Sequence, residues 1–184
     1  MKMGDGGVRR TRSVSCGTIK EVPVAERPTM NRGKAFIVVG HKHWGKSATL
    51  KALTDGNRFL RTWKIRSTIF FVRRMSNDDI PDSLIALANS LDPATTPRVI
   101  ATLCPTFNDK KALPALLKIL GTFKRKYELF FFVLRHKGDD PSATVPDDEI
   151  DSLERYGTVK RFHPEGAKPQ TIARFFKKFV MRYA

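Results

Sequence analysis

The chain has 184 residues, 41% of them apolar, with 34 Lys and Arg against 18 Asp and Glu, a formal net charge of +16. That length suits one domain with a real core. Cys16 and Cys104, the two cysteines, make no CxxC or Cys/His cluster, which excludes a cysteine-built metal or redox framework.

The charge excess favours polyanions, such as nucleic acid, anionic lipid or an acidic protein surface, without implying that a base sequence is read. No apolar signal core opens the chain. The longest apolar runs, such as Leu129 to Leu134, are too short to cross a bilayer. The expectation is a soluble, cytoplasmic protein with no membrane span, and nucleic acid or an acidic protein as partner through its basic surface.

Residues 1–34 combine Gly4, Gly6 and Gly7 with Arg9, Arg10 and Arg12, followed by Pro23 and Pro28. They read as a basic, flexible arm, and residues 35–184 as the folded domain. Ala35–Val39 is a continuous apolar run, the pattern of a buried parallel strand. Gly40-His41-Lys42-His43-Trp44-Gly45-Lys46-Ser47 follows, then a helical stretch from Ala48 to Thr54, stopped at Asp55-Gly56-Asn57.

The eight-residue segment fits G-x-x-x-x-G-K-[ST], a phosphate-binding loop, in the strand-to-helix setting the motif requires. Gly40 and Gly45 allow a tight turn and a close approach to a ligand. Backbone N–H groups from Lys42 to Ser47 then face one concavity, and the helix start adds positive potential. Lys46 is the point charge for phosphates, and Ser47 the hydroxyl for a Mg²⁺ ion. Ala48 closes the phosphate-facing set. Trp44 either touches the nucleotide or packs under the loop. His41 and His43 read as exposed loop residues, without the partners a metal site needs.

Residues 58–65 suit a strand, and Ser67–Val72, rich in β-branched and aromatic residues, a better one. Arg73-Arg74-Met75-Ser76-Asn77-Asp78-Asp79 follows. Residues 81–91 suit a helix entered at Pro81, residues 98–103 a strand, and residues 109–121 a helix. Residues 128–134 form the most apolar strand, 147–156 an acidic amphipathic helix and 158–162 a short strand. Residues 169–183 close the chain as a helix. Its buried stripe is Ile172, Phe175, Phe176, Phe179 and Val180, and its outer face Arg174, Lys177, Lys178 and Arg182.

Strands alternating with helices indicate an α/β fold, a three-layer sandwich with a mostly parallel sheet. Ligands of such sheets bind beyond the carboxyl ends of the strands, so the segments after each strand carry the site. Asp78 and Asp79 are candidates to hold Mg²⁺ or to cap the next helix. Arg73 and Arg74 are candidates to stabilise a transferring phosphoryl group beside Lys46. Asp109 reads as a helix cap. Lys137-Gly138-Asp139-Asp140 reads as a turn. No strand ends in the acid that usually accompanies such a loop.

On the loop motif the chain resembles the P-loop NTPase superfamily, and its order of elements resembles a small GTPase-like domain. The resemblance implies a P-loop NTPase fold, Mg²⁺ with ATP or GTP as ligand, and hydrolysis of the nucleoside triphosphate. His136-Lys137-Gly138-Asp139 lies where that family reads guanine, with His in place of Asn. Asp139 would then accept from the guanine edge and Lys137 would pack along the base. The family's D-x-x-G motif is missing from Arg73–Asp79. Two alternatives stand beside the hydrolase: a small nucleotide kinase-like phosphotransferase, and a non-catalytic nucleotide-binding module that docks on a polyanion or a partner protein.

Overall fold

The computed structural model describes residues 32–57 and 61–184. The expected basic arm therefore lies outside the described residues as far as residue 31. The first strand takes in Gly33 and Lys34, two residues the sequence pattern assigned to the arm. The strands are β1 (Gly33–Val39), β2 (Thr62–Ile65), β3 (Thr68–Val72), β4 (Arg98–Leu103), β5 (Tyr127–Leu134), β6 (His136–Lys137), β7 (Asp140–Thr144) and β8 (Thr158–Phe162). The helices are α1 (Lys46–Leu53), α2 (Pro81–Ser90), α3 (Leu113–Lys126), α4 (Asp147–Glu154) and α5 (Pro169–Tyr183).

Six strands form one sheet in the order β2-β3-β4-β1-β5-β8. Every pairing in it is parallel except β2 with β3. The apolar run of β1 is central because it is flanked by β4 on one side and β5 on the other. Val39 pairs with both Leu103 and Val133, so the loop after β1 starts at the middle of the sheet's carboxyl edge. That β4 separates β3 from β1 is a feature the linear order of elements does not specify.

Helices flank the sheet, α1 packing with α5 and α2 with α3. The β3-α2-β4, β4-α3-β5 and β5-α4-β8 crossovers all advance in one direction across the sheet, whereas β1-α1 turns back. With right-handed crossovers this puts α2, α3 and α4 on one face and α1 with α5 on the other. Both faces are apolar, as the unbroken hydrophobic strands require. On the α5 face, Phe36 stacks on Phe130 at 5.1 Å between ring centroids. Phe132 stacks on Phe162 at 5.1 Å and meets Phe176 and Phe179 at 5.5 and 5.6 Å.

Three local outcomes differ from the sequence pattern. Helix α3 begins at Leu113, because Asp109 Oδ1 accepts from the backbone N–H groups of Lys111 and Ala112 and caps the turn before it. It also continues through Gly121 to Lys126, carried by the burial of Thr122 and Phe123. On α5, Phe175 is 40% exposed and rests on Phe162, while Ala173 takes a buried place in the stripe. The β6–β7 hairpin turns at Gly138-Asp139, which agrees with the expected turn. Its second strand had no sequence signal, since Pro141 and Ser142 are poor strand formers.

Among the described residues, no helix is long and apolar enough to cross a membrane.

Candidate phosphate-binding site

The glycine loop between β1 and α1 borders a hollow of about 290 Å³, lined by Lys42 to Ala48 with Ser76, Asp78 and Asp79 from the segment after β3. Two residues give the loop its shape. Gly45, the residue before the helix, has φ +82°, a conformation that an L side chain resists, and a Cβ there would meet open space. His43 also sits in the left-handed region at φ 63°. Gly40 is different: its φ is ordinary, and a Cβ would make normal contacts at 3.5–3.6 Å with Trp44 and Leu134. The tight turn thus depends on Gly45.

The first-turn N–H groups of α1 have no intrahelical acceptor available to them and point out of the helix start. Lys46 is 5% exposed. Its ammonium donates to the His41 carbonyl at 2.8 Å and lies 3.6 Å from Asp78 Oδ2. Asp78 also accepts from the Ser76 hydroxyl, and Asp79 Oδ2 accepts from the Ser76 backbone N–H at 3.3 Å. Neither carboxylate caps α2, whose N-cap Ile80 has no side-chain bond. Ser47 Oγ donates to the Arg74 carbonyl at 2.9 Å. Trp44 is buried, in edge contact with His41, so it packs under the loop.

Of the residues singled out in the sequence, Lys42, His43, Trp44, Gly45, Lys46, Ser47, Ala48, Asp78 and Asp79 therefore meet at one hollow. Gly40 and His41 lie outside its lining. Arg73 and Arg74 are turned elsewhere. Arg73 donates to Ser83 Oγ on α2 at 2.6 Å, and Arg74 donates to Thr54 Oγ1 at 2.6 Å and to the Asn57 carbonyl at the end of α1. Lys137 and Asp139 form an ion pair with each other at 3.2 Å across the hairpin turn.

Beneath the loop lies a constellation that sequence reasoning missed. His41 is half-buried, not exposed. Its Nε2 is 3.5 Å from Glu149 Oε2 and its Nδ1 4.0 Å from Cys104 Sγ. The three residues come from the loop, from α4 and from the end of β4, so no spacing in the chain links them. One signal was present: Glu149 adjoins Ile150 on the apolar side of an otherwise acidic helix, where a carboxylate is out of place.

Glu149 is 2% exposed, and burial pushes its carboxyl up to about 7, against the pull of N–H donors at Asn108 and Phe107. Burial, followed by the Lys46 charge, lowers the His41 imidazole below its ordinary value. Burial also raises the Cys104 thiol to about 11. The His41–Glu149 contact has salt-bridge geometry, but burial favours the neutral form of both partners. Cys104 stays a protonated thiol, which rules out a thiolate nucleophile there at neutral pH.

The sign of the resulting pH dependence follows from linkage. Unfolded Glu149 releases its proton near 4.5 and the folded one near 7. Between those values the folded state binds more protons, so stability falls as pH rises through the window and levels off above it. Glu149→Gln keeps an acceptor for the Asn108 N–H and removes the titration. The variant is expected to match the wild type near pH 4. At pH 8 it should be more stable by on the order of 2 kcal/mol. Denaturant midpoints of both proteins across that range test this, and identical pH profiles would refute it.

Comparison with known proteins gives little company. No family model matches the chain, and no curated protein matches it. Among solved structures it is similar to a diflavin flavoprotein A3 from Nostoc sp., at 12% identity over 83% of this chain and 99% of that one, with a TM-score of 0.33.

These findings correct the family expectation. The chain is not assigned to the P-loop NTPase superfamily, since no family model matches it. The expectations of Mg²⁺, of ATP or GTP as ligand, and of a nucleoside-triphosphate hydrolase class are withdrawn with it. At the loop, the cation facing Asp78 is the Lys46 ammonium, and the Ser47 hydroxyl donates to the Arg74 carbonyl. The segment matched to guanine reading closes a hairpin on itself.

Proposed function

We propose that the protein is a binding module for a phosphate-bearing ligand, whose phosphate end sits in the hollow at Lys42–Ala48. The observation that carries this reading is the convergence of three features at one concavity. These are the left-handed Gly45, the outward N–H groups at the start of α1, and the Lys46 ammonium. Each favours an anion, and together they form a preorganised nest. Asp78 and Asp79 on the opposite wall limit the negative charge the hollow tolerates. Asp78 is balanced by Lys46, and a phosphate drawing on that ammonium competes with it.

The reading stops at binding. Neither arginine lines the hollow, so the charge stabilisation that phosphoryl transfer needs would fall to Lys46 and Lys42, the two cations in its lining.

The test is a calorimetric panel at about 0.15 M salt, where screening suppresses loose association with the basic surface. Its probes are orthophosphate, pyrophosphate, a nucleoside without phosphate, and nucleotides of increasing phosphate number. Affinity should require phosphate and saturate at one site per chain. Equal affinity for the bare nucleoside, or no saturable binding to any phosphate compound, would overturn the proposal.

A second reading, docking on a polyanion, has one specific observation in its favour. Beside β8, a groove of about 220 Å³ is lined by Phe162, Phe175, Lys160, Lys178, Arg182 and Tyr183 among others, with Phe175 exposed and Phe162 and Tyr183 half-buried among the cations. Aromatic rings framed by positive charge suit stacked bases of a single strand. Binding that weakens steeply with salt and is unaffected by substitutions at Lys46 would assign the partner to this groove.

A further inference from the structure

We infer that His136, His163 and Glu165 form a zinc-binding site at the carboxyl edge of the sheet, separate from the phosphate hollow. One ligand atom from each of the three lies within 4.8 Å of the others. His136 Nε2 faces His163 Nδ1 at 2.9 Å. Two imidazoles and a carboxylate are a donor set that Zn²⁺ takes in tetrahedral geometry, with the fourth position left to water.

The geometry is prepared in the way metal-binding histidines usually are. His136 Nδ1 lies 3.0 Å from the Pro141 carbonyl across the hairpin. That oxygen can only accept, so Nδ1 carries the proton and Nε2 accepts from His163 Nδ1–H; to ligate through Nδ1, His163 takes its other tautomer, with the proton on Nε2. A ligating histidine whose other nitrogen donates to a backbone carbonyl is fixed in tautomer and ring orientation, and is the more basic for it. Tetrahedral bonds of about 2.0–2.1 Å put two ligand nitrogens roughly 3.3 Å apart. The present pair needs to open by only a few tenths of an ångström.

The backbone around the three ligands is tied down. β5 and β8 are parallel neighbours, with Leu134 in register with Phe162, so His136 and His163 leave the sheet side by side. Arg135 N–H donates to the Phe162 carbonyl at 2.8 Å, and Gly166 N–H donates to the Gly138 carbonyl at 3.2 Å. The hairpin is thus fastened to the segment that carries His163 and Glu165. A site set on the ends of two paired strands pays little to organise on binding. His136 is half-buried, while His163 and Glu165 are exposed, which leaves an entry path and room for the water. The two cations flanking His136 are both paired, Lys137 with Asp139 and Arg135 with Asp147.

The experiment uses the full, untagged chain. Zn²⁺ is titrated calorimetrically, and Co²⁺ serves as a spectroscopic substitute whose ligand-field absorption reports tetrahedral coordination. One ion per chain and a tetrahedral Co²⁺ spectrum are expected. His163→Ala and His136→Ala should each weaken Zn²⁺ binding by at least tenfold, the loss that even outer-shell partners reach. Glu165→Gln should weaken it less and shift the Co²⁺ spectrum. Circular dichroism establishes that each variant is folded. Absence of Zn²⁺ binding by the wild type, wild-type affinity in folded His163→Ala, or Zn²⁺ retained by the double histidine variant would each overturn the assignment.

Discussion

Lys46→Met is expected to lower affinity for pyrophosphate by about a hundredfold while the fold persists. The ammonium is the strongest single donor at the hollow, and a hydrogen bond from a charged group to phosphate contributes roughly 1.5–3 kcal/mol. Its removal has a second consequence. Asp78, 3.6 Å away, loses its counter-charge and faces the incoming anion alone. The methionine keeps the length and apolar stem of a side chain that is 5% exposed, so the helix start stays packed. The lost bond to the His41 carbonyl should shift the melting temperature by only a few degrees. Calorimetric titration and a thermal melt of the same preparation check both halves. A folded variant with wild-type affinity would remove Lys46 from the site.

Phe132→Ala is expected to cost about 3–5 kcal/mol of stability, the range for emptying an aromatic core position. Phe132 is 2% exposed and touches Phe162 on the neighbouring strand and Phe176 and Phe179 on α5. The cavity it leaves would be walled by rings that β8 and α5 hold in place, so little collapse can fill it. For a domain of this size the melting temperature should fall by roughly 10 °C. A loss below about 1 kcal/mol by denaturant titration would mean that α5 is not packed on the sheet as described. The same rings limit how far the β5–β8 edge can move, which is why the histidines beyond it are expected to hold their spacing.

The α/β architecture was legible because its strands are apolar runs of the right length and its helices carry clean stripes. Residues 98–103, 158–162 and 169–183 coincide with β4, β8 and α5. The hollow was legible because the loop motif is contiguous, so Gly45, Lys46 and Ser47 needed no tertiary information to be grouped. Strand order was not legible. The chain alternates strand and helix whether β3 or β4 neighbours β1, and long-range pairing decides between them. Phe175 misled for a related reason. Helical spacing placed it in the stripe, but β8 is the sheet's edge and leaves that end of α5 partly open. His41, Cys104 and Glu149 lie far apart in the chain, and only the fold puts an imidazole within reach of a buried carboxyl. The motif was over-read one level higher, where a sound local pattern was extended to a family, a metal and a triphosphate. The arginines thought to serve that chemistry instead tie the end of β3 to α1 and α2.

The most direct test of the phosphate-nest account is a titration of isotope-labelled protein with pyrophosphate, followed by the backbone amide signals. The account predicts saturable shifts that are largest at Lys42 and from Gly45 to Ala48, with Asp78 responding as Lys46 turns toward the ligand. Shifts that never saturate, or that gather on the basic face of α5 around Arg174 and Arg182 while Gly45 and Lys46 stay still, would contradict it.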